Sequence, residues 1–267
     1  GIQDMLRGRL MIPLQDPQGR VIGFTARILE EDPNAPKYIN TPQTVLYDKS
    51  RHVYGMHLAK ESIRKSKFVV LVEGNLDVIA SHQVGVKHVV ATAGTALTEP
   101  HLKALSRFTG DIRLSFDADK AGMAATERAI PIASRVKVSL SIIEIPQGKD
   151  PDELIQQDPQ LWKSAIKNNK YALDWLMERY ENQLDIDSAQ GKREFTDILL
   201  PVIRGLSDEV ERDHYLNSLA KKIGISKDAL GQKYKKTAAT NAPERRRRVK
   251  VEPEKLSQRA RKQANNT

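Results

Sequence analysis

The sequence of 267 residues contains no cysteine, which excludes disulfide scaffolds, thiolate zinc sites and cysteine nucleophiles. No apolar run approaches the roughly 18 residues that a membrane span requires. No signal-peptide pattern opens the chain. These absences make a soluble, cytoplasmic protein the expectation, and Gly1 in place of Met predicts that upstream sequence has been lost. Apolar residues are nevertheless 39% of the chain, enough to bury one large core or two to three smaller ones.

Acidic and basic residues are unevenly spread. The formal charge is +9, but residues 235–267 alone carry a balance of +8, including the run Arg245 to Arg248, while 68–234 are slightly negative. The tail has almost no large apolar residue, so burial cannot offset the entropy of ordering it, and it reads as a disordered linker or an electrostatic nucleic-acid arm.

Local patterns divide the rest. RLMIPLQ, the turn DPQGR and VIGFTARIL read as a β-hairpin. An irregular stretch, APKYINTPQTVLYDKSRHVYG, leads to a short helix through 57–65. From residue 68 the runs FVVLVEG, HVVATAG, IRLSF and VKVSLSIIEIP read as four buried strands alternating with three helices, the pattern of a parallel α/β sheet. The first helix would bury Leu76, Ile79, Ala80 and Val84. Thr98 is placed to cap the second, with Pro100 in its first turn. Beyond about 151 only helical periodicity is visible. The expected divisions are 1–67, 68–150, 151–235 and the tail 236–267.

Ligands of parallel α/β sheets gather beyond the carboxyl ends of the strands. Glu73 and Asp77 follow the first run, Asp117 and Asp119 the third, Asp150 and Asp152 the fourth. Six carboxylates on one rim would raise one another's pKa and destabilise the fold, a conflict that a divalent cation resolves. Oxygen donors suit Mg²⁺ or Mn²⁺, which bridge carboxylates to substrate phosphates. Gly94, with Thr95 beside it in ATAGTALT, ends the second strand before a helix and can offer backbone N–H groups to a phosphate. It is not a Walker loop, because no Gly-Lys-Ser/Thr follows.

VEGNLDV, ATAGTALT and FDADKAG, in that order, resemble the Toprim domain of primases, topoisomerases and some nucleases. RGRLMIPLQDPQGRVIGFTARIL, PKYINTPQTVLYDKSRHVYG and QGKDPDEL are similar to the RNA-polymerase core of DnaG-type bacterial replicative primases, and the resemblance runs from about residue 6 to 235. It implies a Rossmann-like Toprim sheet flanked by helices, an N-terminal mixed α+β subdomain with a basic surface, and a C-terminal helical subdomain. It further implies synthesis of short RNA primers from ribonucleoside triphosphates on single-stranded DNA, by a monomeric core in the bacterial replisome. Glu73, Asp117, Asp119, Asp150 and Asp152 match the family's metal-site acids, and Asp77 the last acid of its EGxxD motif. Arg27, Lys37 and Lys49 fall where the family lines a basic surface near template and nucleotide, and Arg7 and Arg9 precede the hairpin similarly. Asn75 stands where an aromatic is more usual. The family's zinc-binding domain is expected to be missing, so zinc is not expected. The helicase-binding domain is expected to be absent too, with the replicative helicase reached only through such a domain.

The implied mechanism is nucleotidyl transfer, with Glu73 as a metal ligand or a general base. Two rivals make different predictions. A Toprim topoisomerase or nuclease would cleave DNA without incorporating ribonucleotides. A non-catalytic module that binds single-stranded DNA or the replisome would be indifferent to Mg²⁺ and to Asp117→Ala.

Overall fold

The computed structural model describes residues 5–240 apart from 31, 117–119 and 146–149. Asp117 and Asp119 therefore lie outside the described residues, as does the basic tail beyond 240. Residues Gly1–Lys227 form one compact unit and Asp228–Thr267 a second.

The predicted hairpin is β1 (Arg9–Gln15) and β2 (Val21–Ile28), antiparallel with Arg9 opposite Ile28. Asp16 fixes the turn. Its carboxylate accepts the N–H groups of Gln18 and Arg20 at 2.9 and 3.0 Å and pairs with the Arg20 side chain at 2.7 Å. A third strand, β3 (Tyr38–Asn40), pairs with β2 inside the stretch read as irregular. Three residues without a buried face give no alternation to detect. Helix α1 (Met56–Ser66) buries Met56, Ala59 and Ile63, one face of a 3.6-residue period.

The central sheet alternates as expected: β4 (Val69–Val72), α2 (Asn75–Gln83), β5 (Val89–Ala91), α3 (Glu99–Ser106), β6 (Asp111–Ser115), α4 (Lys120–Val136) and β7 (Ser139–Ile143). The strands lie in the order β5-β4-β6-β7, all parallel. Thr98 does cap α3, accepting the His101 N–H at 3.3 Å, and Pro100 sits in the first turn. The chain runs from β4 out to β5 and returns past it to β6, so a topological switch point, and with it a crevice, falls at the carboxyl ends of β4 and β6.

The face expected for α2 needs correction. Its buried residues are Asn75, Asp77, Val78, Ala80 and Ser81. The helix packs on both β5 and the later helix α5 (Pro151–Gln157), so it buries two flanks and polar groups with them. After α5 come α6 (Pro159–Lys167), β8 (Asn169–Tyr171), α7 (Ala172–Gln183), α8 (Ala189–Arg204) and α9 (Glu209–Ile223). Strand β8 corrects the all-helical reading: it joins the edge of β7 antiparallel, too short to show a period. Helix α10 (Lys227–Thr240) continues into the first residues of the stretch expected to be disordered.

Val70, Val72, Val78, Val89, Ile143, Leu154 and Trp162 share one buried cluster that fastens α2, α5 and α6 to the sheet. Within it the Trp162 indole N–H donates to Ser81 Oγ at 3.1 Å, which satisfies two polar groups that would otherwise be buried unpaired. The N-terminal region is fastened to the same sheet. Tyr54 and Ala91 exchange backbone hydrogen bonds at 2.9 and 3.2 Å, and Thr98 Oγ1 donates to the Ser50 carbonyl at 2.6 Å.

Candidate active site

Two short segments build the acidic wall. β4 ends at Val72 and the chain passes through Glu73 and Gly74 into α2, which places Asp77 in the helix's first turn. The Asp77 carboxylate turns back to accept the Gly74 N–H at 3.1 Å, filling one of the orphan donors of the helix start. A Cβ on residue 74 would sit 2.8 Å from Asp77 Oδ2, so only glycine leaves room for this cap. On the facing segment Asp150 caps α5, accepting the Glu153 N–H at 2.8 Å. Asp152 lies in that helix's first turn and accepts a bond from Gln156 at 3.0 Å. Negative side chains at helix N-termini are favoured by the helix dipole, and here two such starts converge.

The opposite wall comes from the N-terminal sheet. Arg27 on β2, Lys37 and Tyr38 line one cleft of about 250 Å³ together with Glu73, Asp77, Ser115, Asp150 and Asp152. Lys37 is held by its backbone, its carbonyl accepting the Ile28 N–H at 3.0 Å. The Arg9 guanidinium braces the same loop by donating to the Pro36 carbonyl at 2.8 Å. Arg9 is thus engaged with the loop that carries Lys37. Arg7 is exposed ahead of β1.

The electrostatics follow from this crowding. Burial, reinforced by the neighbouring Asp150 carboxylate, pushes Asp77 from 3.8 up to about 7, against the Gly74 and Asp152 N–H groups that favour its charged form. Burial also raises the Tyr38 phenol; Arg27 opposes the rise, and Asp77, Asp150 and Asp152 add to it. Across the cleft four acidic side chains face two basic ones.

Glu73 also lines a second cleft of about 300 Å³, with Thr92, Gly94, Thr95, Phe116, Gly122 and Arg128 among its walls. Gly94 is left-handed at φ 74°, a conformation glycine adopts without a Cβ penalty. Its N–H donates to the Glu73 carbonyl at 3.2 Å and ties the end of β5 to the end of β4. Thr95 Oγ1 donates to the Thr92 carbonyl at 2.9 Å. The Lys49 carbonyl accepts from the His101 ring at 3.1 Å, which places that residue beside α3; Lys49 is not among the residues lining the acidic cleft. Tyr38 and Ser115 are lining residues that the sequence did not single out. Tyr38 adjoins Lys37, which was a usable signal, but Ser115 merely ends an apolar run.

Comparison with known proteins bears on this arrangement. Family models match residues 1–60 as the N-terminal domain of the DNA primase catalytic core, 70–155 as Toprim-like, and 173–228 as the DnaB-helicase binding domain of primase. A solved structure described as the DnaG catalytic core superposes with a TM-score of 0.72 at 31% identity, covering 85% of this chain and 74% of the other. The chain belongs to the DnaG-type bacterial primase family.

A DNA primase domain from Pseudomonas aeruginosa superposes with a TM-score of 0.75 at 30% identity, covering 86% of this chain and 72% of its own. The DNA primase of Synechococcus elongatus is 36% identical over 84% of this chain and 33% of its own length. That of Escherichia coli is 30% identical over 91% and 42%. The chain thus spans about a third of the length of the first of these curated primases. Toprim primases are metal-dependent in general. The match over 173–228 is at odds with one expectation: a stretch that resembles the helicase-binding domain of primase lies in this chain, from α7 into the first residues of α10, rather than being absent. An amphipathic helical segment of this kind carries no short motif to read. Among the described residues, no helix is long and apolar enough to cross a membrane.

Proposed function

We propose that this chain is the catalytic core of a replicative primase, which joins ribonucleoside triphosphates into short RNA primers on single-stranded DNA. The observation that carries this reading is the convergence of Glu73, Asp77, Asp150 and Asp152 on one cleft at the β4/β6 switch point, faced by Arg27 and Lys37. It is joined to membership of the primase family.

The donor chemistry fits a hard divalent cation. All the acids are oxygen donors, the class of ligand that such ions take, and four of them face this cleft. Among the described residues no three acids or histidines form a complete cation site by themselves. Asp150 and Asp152, together with Asp117 and Asp119, would hold Mg²⁺ or Mn²⁺. When bound, the ion neutralises the carboxylates and steadies triphosphate oxygens. Arg27 and Lys37 bind the triphosphate from the opposite wall and orient it for attack on the α-phosphorus by a ribose 3′-hydroxyl, with pyrophosphate leaving. Glu73, exposed between the two clefts, contacts the attacking hydroxyl or joins the ion's ligands. The Gly94–Thr95 loop borders the second cleft and offers its backbone to the incoming nucleotide, Lys49 adds positive charge from the segment whose carbonyl accepts from Thr95 Oγ1 at 3.5 Å, and Arg7 adds charge near the template. Residues 173–228 dock the replicative helicase, and the protein works in the bacterial cytoplasm as a monomeric core.

The test is ribonucleotide incorporation on a primed and an unprimed single-stranded template with Mg²⁺ or Mn²⁺. Glu73→Gln and Asp152→Asn should each lower incorporation by about two orders of magnitude or more. Full activity with unchanged metal dependence in both variants would overturn the site. DNA cleavage without incorporation by the wild type would overturn the reaction.

A further inference from the structure

Ser115 ends β6, paired across the parallel ladder with Val72 of β4, the residue before Glu73. It lines the acidic cleft, is only 4% exposed, and its Oγ is buried without a hydrogen-bond partner. On β6 the alternate residues Ile112 and Leu114 are apolar and fully buried, and on Ser115's own side of the strand Arg113 is engaged with Asp111 at 2.9 Å, which leaves the hydroxyl as the polar group of this strand without a partner. A valine here would suit a buried strand better, and a buried hydroxyl left unpaired carries an uncompensated desolvation cost. Such a group calls for a partner that enters the cleft.

The neighbours narrow what that partner is. A serine hydroxyl offers one donor and two acceptor positions. The carboxylate oxygens of Glu73, Asp150 and Asp152 are acceptors. An occupant that satisfies this wall must bring positive charge and hydrogen-bond donors together, and a hydrated divalent cation does both. Small hard cations keep several of their waters when a protein binds them through a few carboxylates. Each retained water is a polarised donor that needs an acceptor in the wall.

We infer that Ser115 Oγ accepts a hydrogen bond from a water on the divalent cation of this cleft. It acts as a positioning residue outside the ligand set. This rests on the cation reading of the acids above.

The experiment uses the whole 267-residue chain stripped with EDTA, titrated calorimetrically with Mg²⁺ alone and melted with and without the ion. Ser115→Ala removes the hydroxyl, and Ser115→Cys keeps the volume with a much weaker hydrogen-bonding group. Both variants should bind Mg²⁺ about tenfold more weakly, the low end for losing an outer-shell partner. In EDTA the alanine variant should melt at or above the wild-type temperature, because the group removed has no internal partner to lose. Mg²⁺ affinity equal to wild type in either variant would overturn the inference. A lower melting temperature for Ser115→Ala in EDTA would overturn it too, by showing an internal role for the hydroxyl. A wild type that binds no Mg²⁺ would instead remove the cation reading itself, so the two failures are distinct.

Discussion

Asp77→Asn should make the metal-free protein more stable while making it a poorer binder of cations. In the wild type the carboxyl moves from 3.8 to about 7, through burial first and the Asp150 charge second. That shift corresponds to about 4 kcal/mol of preference for the neutral form. The folded pKa lies above the unfolded one, so the folded state holds the extra proton between the two values. Stability from this group is complete below 3.8 and is lost as pH rises through about 7. Between pH 5 and pH 8 the loss works out at about 2–3 kcal/mol. Asparagine does not titrate, still accepts the Gly74 N–H, and gives up only part of the hydrogen bonding, worth about 1 kcal/mol. At pH 8 in EDTA the variant should therefore gain about 2 kcal/mol, or about 4–8 °C in melting temperature for a chain of this size. The gain should vanish by pH 5. Added Mg²⁺ should raise the melting temperature of the wild type more than that of the variant, because one compensating charge is gone. Melts followed by circular dichroism at the two pH values decide the matter. A variant less stable than wild type at pH 8, or a difference that does not change with pH, would refute the reasoning.

His52 works in the opposite sense. Burial, then the neighbouring His101, lowers it from 6.5 to about 4, so its stability is complete above 6.5 and lost as pH falls through 4. Urea unfolding of wild type against His52→Gln should show a wild-type advantage that shrinks by about 2 kcal/mol from pH 7 to pH 5. Lys37→Ala should weaken binding of single-stranded DNA and reduce the salt slope of log Kd by about one in fluorescence anisotropy; an unchanged slope would take Lys37 off the phosphate path. Trp162→Phe removes the bond to Ser81 and leaves a void where the wider indole packed, for about 2–4 kcal/mol of destabilisation by denaturant titration. A loss below about 0.5 kcal/mol would show that the core repacks around it.

Much of this architecture was legible because burial writes a period into the chain. The runs FVVLVEG and IRLSF read as strands because they are short, bounded by turn residues and alternate with helical patterns, and Thr98 with Pro100 announces the start of α3. Strands β3 and β8 escaped because three residues on a sheet edge expose both faces and need no pattern. The face of α2 was misjudged for a different reason. Asp77 is buried by its capping bond to Gly74 and by the packing of α5, a long-range fact that no local window contains. For the site, Glu73, Asp77, Asp150 and Asp152 could be assigned to strand ends because acids after a buried run are conspicuous. Ser115 could not, since a serine at the end of a strand is ordinary until its hydroxyl is seen without a partner. The contact of the Arg9 guanidinium with the Pro36 carbonyl was not legible either, because only the folded chain brings the two together.

The two sides of the acidic cleft are mounted very differently. Glu73 follows a strand flanked on both edges, so shifting it would break ladders with β5 and β6 together. Lys37 rides on the outer margin of a three-stranded ribbon steadied by one guanidinium. On the proposed reading of the cleft, any accommodation to nucleotides of different size would come from the ribbon, with the strand-end acid serving as a fixed anvil. Amide exchange should be slower in β4 than around residues 32–37, and drift in substrate choice among related chains should accumulate on the cationic bank.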